Sequence, residues 1–316
     1  LEKSTYYLNC INIFKITLAK PHILIIYLYY ILIVFIIFKI KKGNYRWLLT
    51  IVITLIIHNN VILFDNNRLV SMIDVGQGDS IFISLENNRG NILIDTGGNR
   101  NYSISKNTII PYLKSLGTKK IDLLVLTHGD YDHMGEAINL VNNFKVDNVI
   151  FNCGEFNDLE RELIKVLEKK NIKYYSCIKE LNIDKYKLYF LNTKEYNNEN
   201  DNSNVIYLNY NNYKFLFMGD AGVEKEKDIL EKYNLNDIDF LKIGHHGSNT
   251  SSSELFINSI NPKYSLISVG KNNRYGHPKD SVLDILKNSK IYRTDLDGSI
   301  EIKLNKSGYK IKTYPP

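Results

Sequence analysis

The residues Leu123–Gly135 read Leu-Leu-Val-Leu-Thr-His-Gly-Asp-Tyr-Asp-His-Met-Gly. An apolar run therefore ends in His128, Asp130, Asp132 and His133, four oxygen or imidazole donors within six residues. Side chains two apart on an extended segment point the same way, so His128 and Asp130 can converge on one cation. Asp132 and His133, in the turn that follows, can hold a second one beside it. A merely polar loop rarely concentrates divalent-metal donors this way.

Two later segments repeat the pattern of an apolar strand running into donors. Phe215–Asp220 ends in Gly219 and Asp220. Alone, Asp220 is as readily a helix N-cap; beside the first cluster it becomes a candidate bridging carboxylate. Phe240–Ser248 ends in His245, His246, Gly247 and Ser248. Adjacent side chains diverge, so one histidine of the pair is read as a metal ligand and the other as supporting that ligand or acting on substrate. The stretch 269–279 offers Asn273, Tyr275 and His277 as a substrate-facing loop. Upstream, 72–80 carries Asp74 and Asp79 among glycines, and 91–98 ends a strand at Asp95, which can orient a ligand histidine from behind. Ordinary β-turn chemistry is the alternative for these last two segments.

The elements that would position these residues alternate in type. Strands are predicted at 69–74, 80–85, 91–95, 122–126, 147–151, 187–191, 204–209, 214–218, 238–243, 264–268, 298–304 and 308–313. Helices are predicted at 108–116, 135–143, 157–170, 222–233, 252–260 and 278–288. The Asn-rich residues 197–204 read as a loop. Strands with interleaved helices and hairpins at both ends predict a layered α/β domain over 65–316.

Residues 21–64 differ in kind. Ile23–Phe38 holds no charge, and Lys39 can snorkel at its end, which suits a spanning helix. Trp47–Phe64 is a weaker second span, interrupted by His58, Asn59 and Asn60. The basic loop between them, with Lys39, Lys41, Lys42 and Arg46, predicts a cytoplasmic loop and an extracytoplasmic 65–316 domain. Residues 1–20 read as an interfacial segment. The chain opens on Leu1, which fits either a fragment of a longer protein or a non-standard start.

The formal net charge of +6 sits entirely in residues 1–64, with seven Lys/Arg against one Glu. The remaining residues carry 33 basic and 33 acidic groups, which argues against a broad cationic nucleic-acid surface. None of the three cysteines forms a Cys-x-x-Cys pair. Cys153 and Cys177 can bridge in an oxidising compartment or remain two free thiols.

As a set, the motifs resemble the metallo-β-lactamase superfamily. The wording Asp-Val-Gly-Gln-Gly-Asp-Ser, Thr-His-Gly-Asp-Tyr-Asp-His-Met-Gly, His-His-Gly-Ser and Asn-Arg-Tyr-Gly-His-Pro resembles the C-terminal domain of ComEC-type DNA-internalisation competence proteins, over about 68–316. The resemblance implies an αββα sandwich behind N-terminal transmembrane helices, and a two-metal hydrolase of phosphodiesterase or nuclease type. The partners it implies are the membrane, single-stranded DNA and other competence proteins. Its ligands would be His128, Asp130, Asp132, His133, Asp220 and His245. Asp132 would orient the attacking water, and His277 or the non-ligating histidine would serve the leaving oxygen. Asp74, Asp79, Asp95, Ser248, Asn273 and Tyr275 would support the site or contact substrate.

Two departures from the wider superfamily matter. Asp130 stands where a second histidine is usual, and Asn202 or Ser203 where a later one is expected. An oxygen-rich set shifts preference from Zn²⁺ toward Mn²⁺, so either ion remains a candidate. The chain lacks the further spans a full channel needs and is not expected to form one alone. A hydrolase of another envelope phosphoester or ester, and a non-catalytic metal- or DNA-binding module, are the alternatives.

Overall fold

The computed structural model describes residues 17–60 and 68–315. By its internal contacts the chain divides into two units, Leu1–Asp65 with Pro111–Lys119, and Asn66–Ile110 with Lys120–Pro316.

In the first unit, Ile23–Lys41 is a helix of 19 residues whose one buried residue is Ile36. Among the described residues it is the one helix long and apolar enough to cross a membrane, by length and composition. A 3₁₀ turn, Tyr45–Trp47, leads into a second helix, Leu48–Asn60, of 13 residues. Trp47 meets the Phe35 ring edge-on at 5.0 Å, and the Lys39 ammonium lies over both rings. The end of the expected second span, 61–64, and residues 1–16 of the expected interfacial segment lie outside the described residues.

The second unit is built on two sheets. Its strands, in chain order, are β1 (Arg68–Met72), β2 (Ile81–Ser84), β3 (Asn91–Ile94), β4 (Lys120–Ile121), β5 (Leu123–Val125), β6 (Lys145–Val146), β7 (Asn148–Phe151), β8 (Lys173–Ser176) and β9 (Glu180–Ile183). They continue as β10 (Tyr186–Phe190), β11 (Ile206–Tyr210), β12 (Tyr213–Phe217), β13 (Phe240–Lys242), β14 (Tyr264–Ile267), β15 (Lys290–Arg293), β16 (Ser299–Asn305) and β17 (Gly308–Tyr314). The first sheet runs β17-β16-β1-β2-β3-β5-β7-β8 and the second β15-β14-β13-β12-β11-β10-β9, while β4 and β6 form a short separate pair.

Each sheet is antiparallel in one half and parallel in the other. In the first, β3, β5, β7 and β8 are parallel; in the second, β12 through β15 are. The inner faces share one apolar core. Val70, Ile81, Ile92, Val125 and Ile302 of the first sheet join Leu188, Ile206, Phe215, Phe240 and Leu266 of the second. The outer face of the second sheet is covered by Ile229, Phe256, Ile260 and Val282, on the helices Val223–Lys232, Glu254–Ile260 and Asp280–Ile285. On the first sheet, Leu124 and Val149 are as buried as their inward neighbours, and Leu163 and Leu167 of the helix Asp158–Lys169 are fully buried. Strands buried on both faces read as continuous apolar runs, which is why β5, β12 and β13 stand out in the sequence.

The predicted interior strands fall within a residue or two of those observed. Besides the two-residue strands β4 and β6 of the separate pair, the sequence reading missed β8, β9 and β15, all three edges of the main sheets. Their patterns mix charge with apolar residues, as in Lys-Tyr-Tyr-Ser and Lys-Ile-Tyr-Arg. An edge strand pairs on one side only and keeps polar side chains, so hydrophobic periodicity does not mark it. Cys153 and Cys177, just beyond β7 and β8, form a disulfide. Of the two sequence readings, the bridge is the one present.

Candidate metal centre

All the donor segments leave parallel strands at their carboxyl ends, where the two sheets meet: Asp95 after β3, His128 after β5, Asp220 after β12, and His245 and His246 after β13. Clefts outside such strand ends are where open α/β sheets place ligands. The sheets are stitched together here. Asn204 N donates to Thr127 O at 2.7 Å, and Asn204 Nδ2 to Leu126 O at 3.0 Å. Gly219 has φ +57, and a Cβ there would sit 2.9 Å from Ser203 Cβ. Gly78 would put a Cβ 2.0 Å from Asp132 O. Glycine is required at both, as a close backbone approach demands.

Asp95 organises the first cluster. Its own φ is +59, an unusual conformation for a non-glycine residue. Its carboxylate accepts from Thr127 N at 2.7 Å, from Thr127 Oγ1 at 2.6 Å and from His133 Nδ1 at 2.8 Å. His133 Nε2 therefore faces the other way and lies 3.2 Å from Asp220 Oδ1. His246 repeats the device: Nδ1 donates to Ser268 O at 2.8 Å, and Nε2 lies 3.4 Å from Asp132 Oδ2 and 3.7 Å from Asp220 Oδ2. His128 Nδ1 pairs with Thr127 Oγ1 at 3.1 Å. The Nε2 atoms of all three, and Asp220 Oδ1, are buried with no hydrogen-bond partner. Three imidazoles, each tied at one nitrogen and orphaned at the other, are what a cation needs and what an apolar core penalises.

Donor atoms within 4.8 Å of one another fall into groups that share His133. His128, His133 and Asp220 form one; Asp132, His133 and His246 form another. Asp79, Asp95 and His133 form a third. That third group meets His133 at Nδ1, the nitrogen already bonded to Asp95, so it orients the ring. The first two groups fit divalent ions in donor chemistry and burial.

The charges are strongly coupled. Burial disfavours the charged form of His133, yet the Asp220 and Asp95 carboxylates outweigh it and hold the ring's pKa well above the ordinary histidine value. Burial likewise opposes ionisation of Asp220, and His133, His246 and Lys242 reverse it, holding the carboxyl well below its usual range. Asp132 is also held ionised against burial, by the nearby imidazoles of His246, whose Nε2 lies 3.4 Å away, and His133. Burial, with His245 and His246 nearby, lowers His277 to about 4.

Sequence reasoning overlooked Lys242. It is fully buried, ion-paired with Asp79, and donates to Gly219 O at 2.8 Å. Its ammonium lies 3.8 Å from Asp220 Oδ1. The available signal was one charge inside the apolar run Phe240–Ile243.

The other expected residues sort by distance. Asp79 is drawn in, with Oδ1 3.6 Å from His246 Nδ1. His245 is partly exposed; its Nε2 lies 3.8 Å from Asp220 Oδ2, and Nδ1 pairs with Thr250 Oγ1 at 3.0 Å. Ser248 braces that pair through Thr250 at 3.0 Å. Asp130 is half exposed, with Oδ2 3.6 Å from His128 Nε2. Asn273 clamps its own loop, bonding Gly270 O and both backbone groups of His277. Tyr275 is exposed and its ring stacks with that of His277 at 5.8 Å. Asp74 is not brought to the cluster: its carboxylate caps the turn at Gly76 N. Asn202 does not substitute for a histidine either, because its amide bonds both backbone groups of Tyr196. Ser203 Oγ accepts from Asp220 N at 3.1 Å and so supports the ligand's backbone.

The family model for the metallo-beta-lactamase superfamily matches residues 73–271, the span that contains the donors from Asp79 to His246 but not Asn273, Tyr275 or His277. The chain belongs to the metallo-beta-lactamase superfamily. Within it, the chain is 30% identical to ComE operon protein 3 of Bacillus subtilis (strain 168), over 97% of its own length and 42% of that protein's. It is 29% identical to Competence protein ComA of Neisseria gonorrhoeae, over 78% of its length and 34% of that protein's. The chain spans less than half the length of these curated relatives. Among solved structures, the CmlA beta-hydroxylase E377D mutant superposes with a TM-score of 0.51 at 14% identity, covering 75% of this chain and 54% of that one. That likeness concerns the fold. The αββα sandwich expected from the motifs is thus the observed fold, and the superfamily together with the His/Asp groups marks a metal-dependent hydrolase.

Proposed function

We propose that this chain is a membrane-attached phosphodiesterase that cleaves DNA in a competence-related uptake system, using two divalent ions. The observation that carries the reading is the convergence of three orphaned Nε2 atoms and Asp220 Oδ1 at the strand ends. One ion would take His128, Asp130 and Asp220; the other Asp132, His133, His246 and Asp220. This exchanges the two adjacent histidines relative to the sequence reading. His246 is buried and fixed at Nδ1, whereas His245 is partly exposed and makes a hydroxyl contact that a mobile side chain can break. The oxygen-rich share of the donors favours Mn²⁺ over Zn²⁺.

Ions bound here supply Lewis acidity and an activated water. Asp132 belongs both to the buried cluster and to the wall of an open cleft, so its carboxylate is placed to accept a hydrogen bond from the attacking water. Lys242 holds Asp79 against the site and offsets the carboxylate charge around Asp220. His277 Nδ1 is buried without a partner, 5.9 Å ring to ring from His245. It is placed to hydrogen-bond the leaving oxygen.

The location we propose is the cell membrane, multi-pass, with residues 65–316 outside the cytoplasm. The Cys153–Cys177 bridge supports an oxidising exterior, since cytosolic thiols stay reduced. The helix Ile23–Lys41 and the basic loop behind it support the orientation. A second reading, hydrolysis of another envelope phosphoester, draws on the even charge balance of 65–316, because nucleic-acid binding relies on cationic contacts. The deciding experiment purifies the chain in detergent, counts bound metal, and assays hydrolysis of DNA and of bis(p-nitrophenyl) phosphate. Hydrolysis of the small diester without DNA cleavage would select the second reading, and no hydrolysis by metal-loaded protein would overturn both.

A further inference from the structure

Lys242 is, among the described residues, the one lysine or arginine whose charge meets the carboxylates of the centre. It lies on β13 of the second sheet, and Asp79 lies between β1 and β2 of the first, so the pair joins the two sheets. Lys242 is 0% exposed, and Asp79, Asp95 and Asp220 are 1%, 0% and 3% exposed. Asp79 stands behind two imidazoles that belong to different donor groups. Its Oδ2 lies 3.8 Å from His133 Nδ1, and its Oδ1 lies 3.6 Å from His246 Nδ1. Neither nitrogen is free for it, because His133 Nδ1 donates to Asp95 and His246 Nδ1 to Ser268 O. Asp79 Oδ1 is buried with no hydrogen-bond partner. The ammonium of Lys242 is therefore what makes a buried carboxylate at position 79 tolerable.

An ammonium has no lone pair to offer a metal, so Lys242 is not a ligand. Imidazoles bind metal in the neutral form, whereas Lys242 brings a positive charge that is fixed to the chain. Divalent ions in the two neighbouring donor groups would supply positive charge to the same carboxylates. We infer that Lys242 is an internal cation that holds the carboxylate cluster together before metal arrives, so that the domain folds with its centre empty and takes up its ions afterwards. This rests on the metal-centre reading and adds the order of folding and loading. The same ammonium repels an arriving divalent ion. Its removal should therefore loosen the empty domain and yet tighten metal binding. A residue that only packed, or only tied the sheets together, would weaken both when removed.

The test uses the whole chain in detergent, stripped of metal or loaded with Mn²⁺, and reads unfolding midpoints by calorimetry. Lys242→Met keeps the length of the side chain and removes its charge; Lys242→Met with Asp79→Asn removes both charges. Stripped Lys242→Met should unfold about 10 °C below stripped wild type, because Asp79 is left buried without its partner. The double variant should recover most of that loss. Mn²⁺ should raise the midpoint of Lys242→Met more than that of wild type, and titration calorimetry should show it bound roughly tenfold tighter. Equal losses with and without Mn²⁺, Mn²⁺ binding that is unchanged or weaker, or a double variant no more stable than the single one would overturn the inference. If Lys242→Met does not fold without metal, the double variant decides: folded when stripped, it supports the inference, and unfolded it refutes it. Mn²⁺ that leaves the wild-type midpoint unmoved sinks the metal-centre reading itself, whereas a wild-type rise without these differences sinks only the role of Lys242.

Discussion

Removing the Cys153–Cys177 bridge gives a loss of stability that can be worked out from its place in the chain. The bridge closes a segment of 24 residues containing the helix Asp158–Lys169 and the edge strand β8. In the chain-entropy account, cross-linking 24 residues restricts the unfolded state by about 11.6 cal/mol/K, or about 3.4 kcal/mol at 25 °C. A unit of this size unfolds with an entropy of about 0.5 kcal/mol/K, so the midpoint should fall by about 7 °C. Cys153→Ser with Cys177→Ser should show this drop in calorimetry of the detergent-solubilised chain. Reduction of the wild type should match it, since Cys177 is exposed to reductant. Activity should weaken less than stability. The bridged segment touches the centre indirectly, through Asn157 Nδ2 donating to Gly129 O at 2.8 Å. Identical midpoints for oxidised, reduced and double-variant protein would refute the argument. Free thiols in protein freshly isolated from membranes would also remove the main support for an exterior domain.

Four further outcomes are expected. Asp132→Ala and His133→Ala should each lower hydrolysis at least about a hundredfold while leaving the unfolding midpoint of the domain within a few degrees, and Asp95→Asn, which only orients His133, should weaken metal binding about 10–100-fold; metal content by mass spectrometry and initial rates check all three. Mn²⁺ should restore the stripped protein at least as well as Zn²⁺, and rescue by Zn²⁺ alone would contradict the oxygen-rich assignment. Lys225 is buried and its pKa is pushed down to about 8, chiefly by burial, against the pull of Asp201 and Asp228. The unfolded chain binds this proton more tightly, so wild-type stability should rise by up to about 3 kcal/mol between pH 8 and 10.5, and denaturant titrations of Lys225→Met should lack that rise. In intact cells, cleavage at the exposed loop residue Lys194 by added trypsin supports an external domain, and protection until lysis refutes it.

How much of this was legible beforehand follows from the range of each signal. The candidate ligands from His128 to His133 were visible because they are packed into six residues behind an apolar strand. Asp220 and the His245–His246 pair were visible because each follows a strand buried on both faces, and such strands write unbroken apolar runs. Those are local records, and local periodicity is what side-chain burial imprints on a sequence. The edge strands β8, β9 and β15 left no such record, since one face and one side of each meet solvent. Which of two adjacent histidines turns inward was equally hidden. His245 and His246 both have positive φ, 45° and 53°, and the turn, not the residue order, directs their rings. Lys242 looked like an interruption of a strand until β13 was set beside the turn carrying Asp79, more than 160 residues upstream. The disulfide depended on β8 lying parallel to β7. The sequence by itself thus determined which residues have donor chemistry and which strands are buried. The packing of the two sheets decided which donors meet, because that convergence joins segments too distant for any repeat or spacing along the chain to encode.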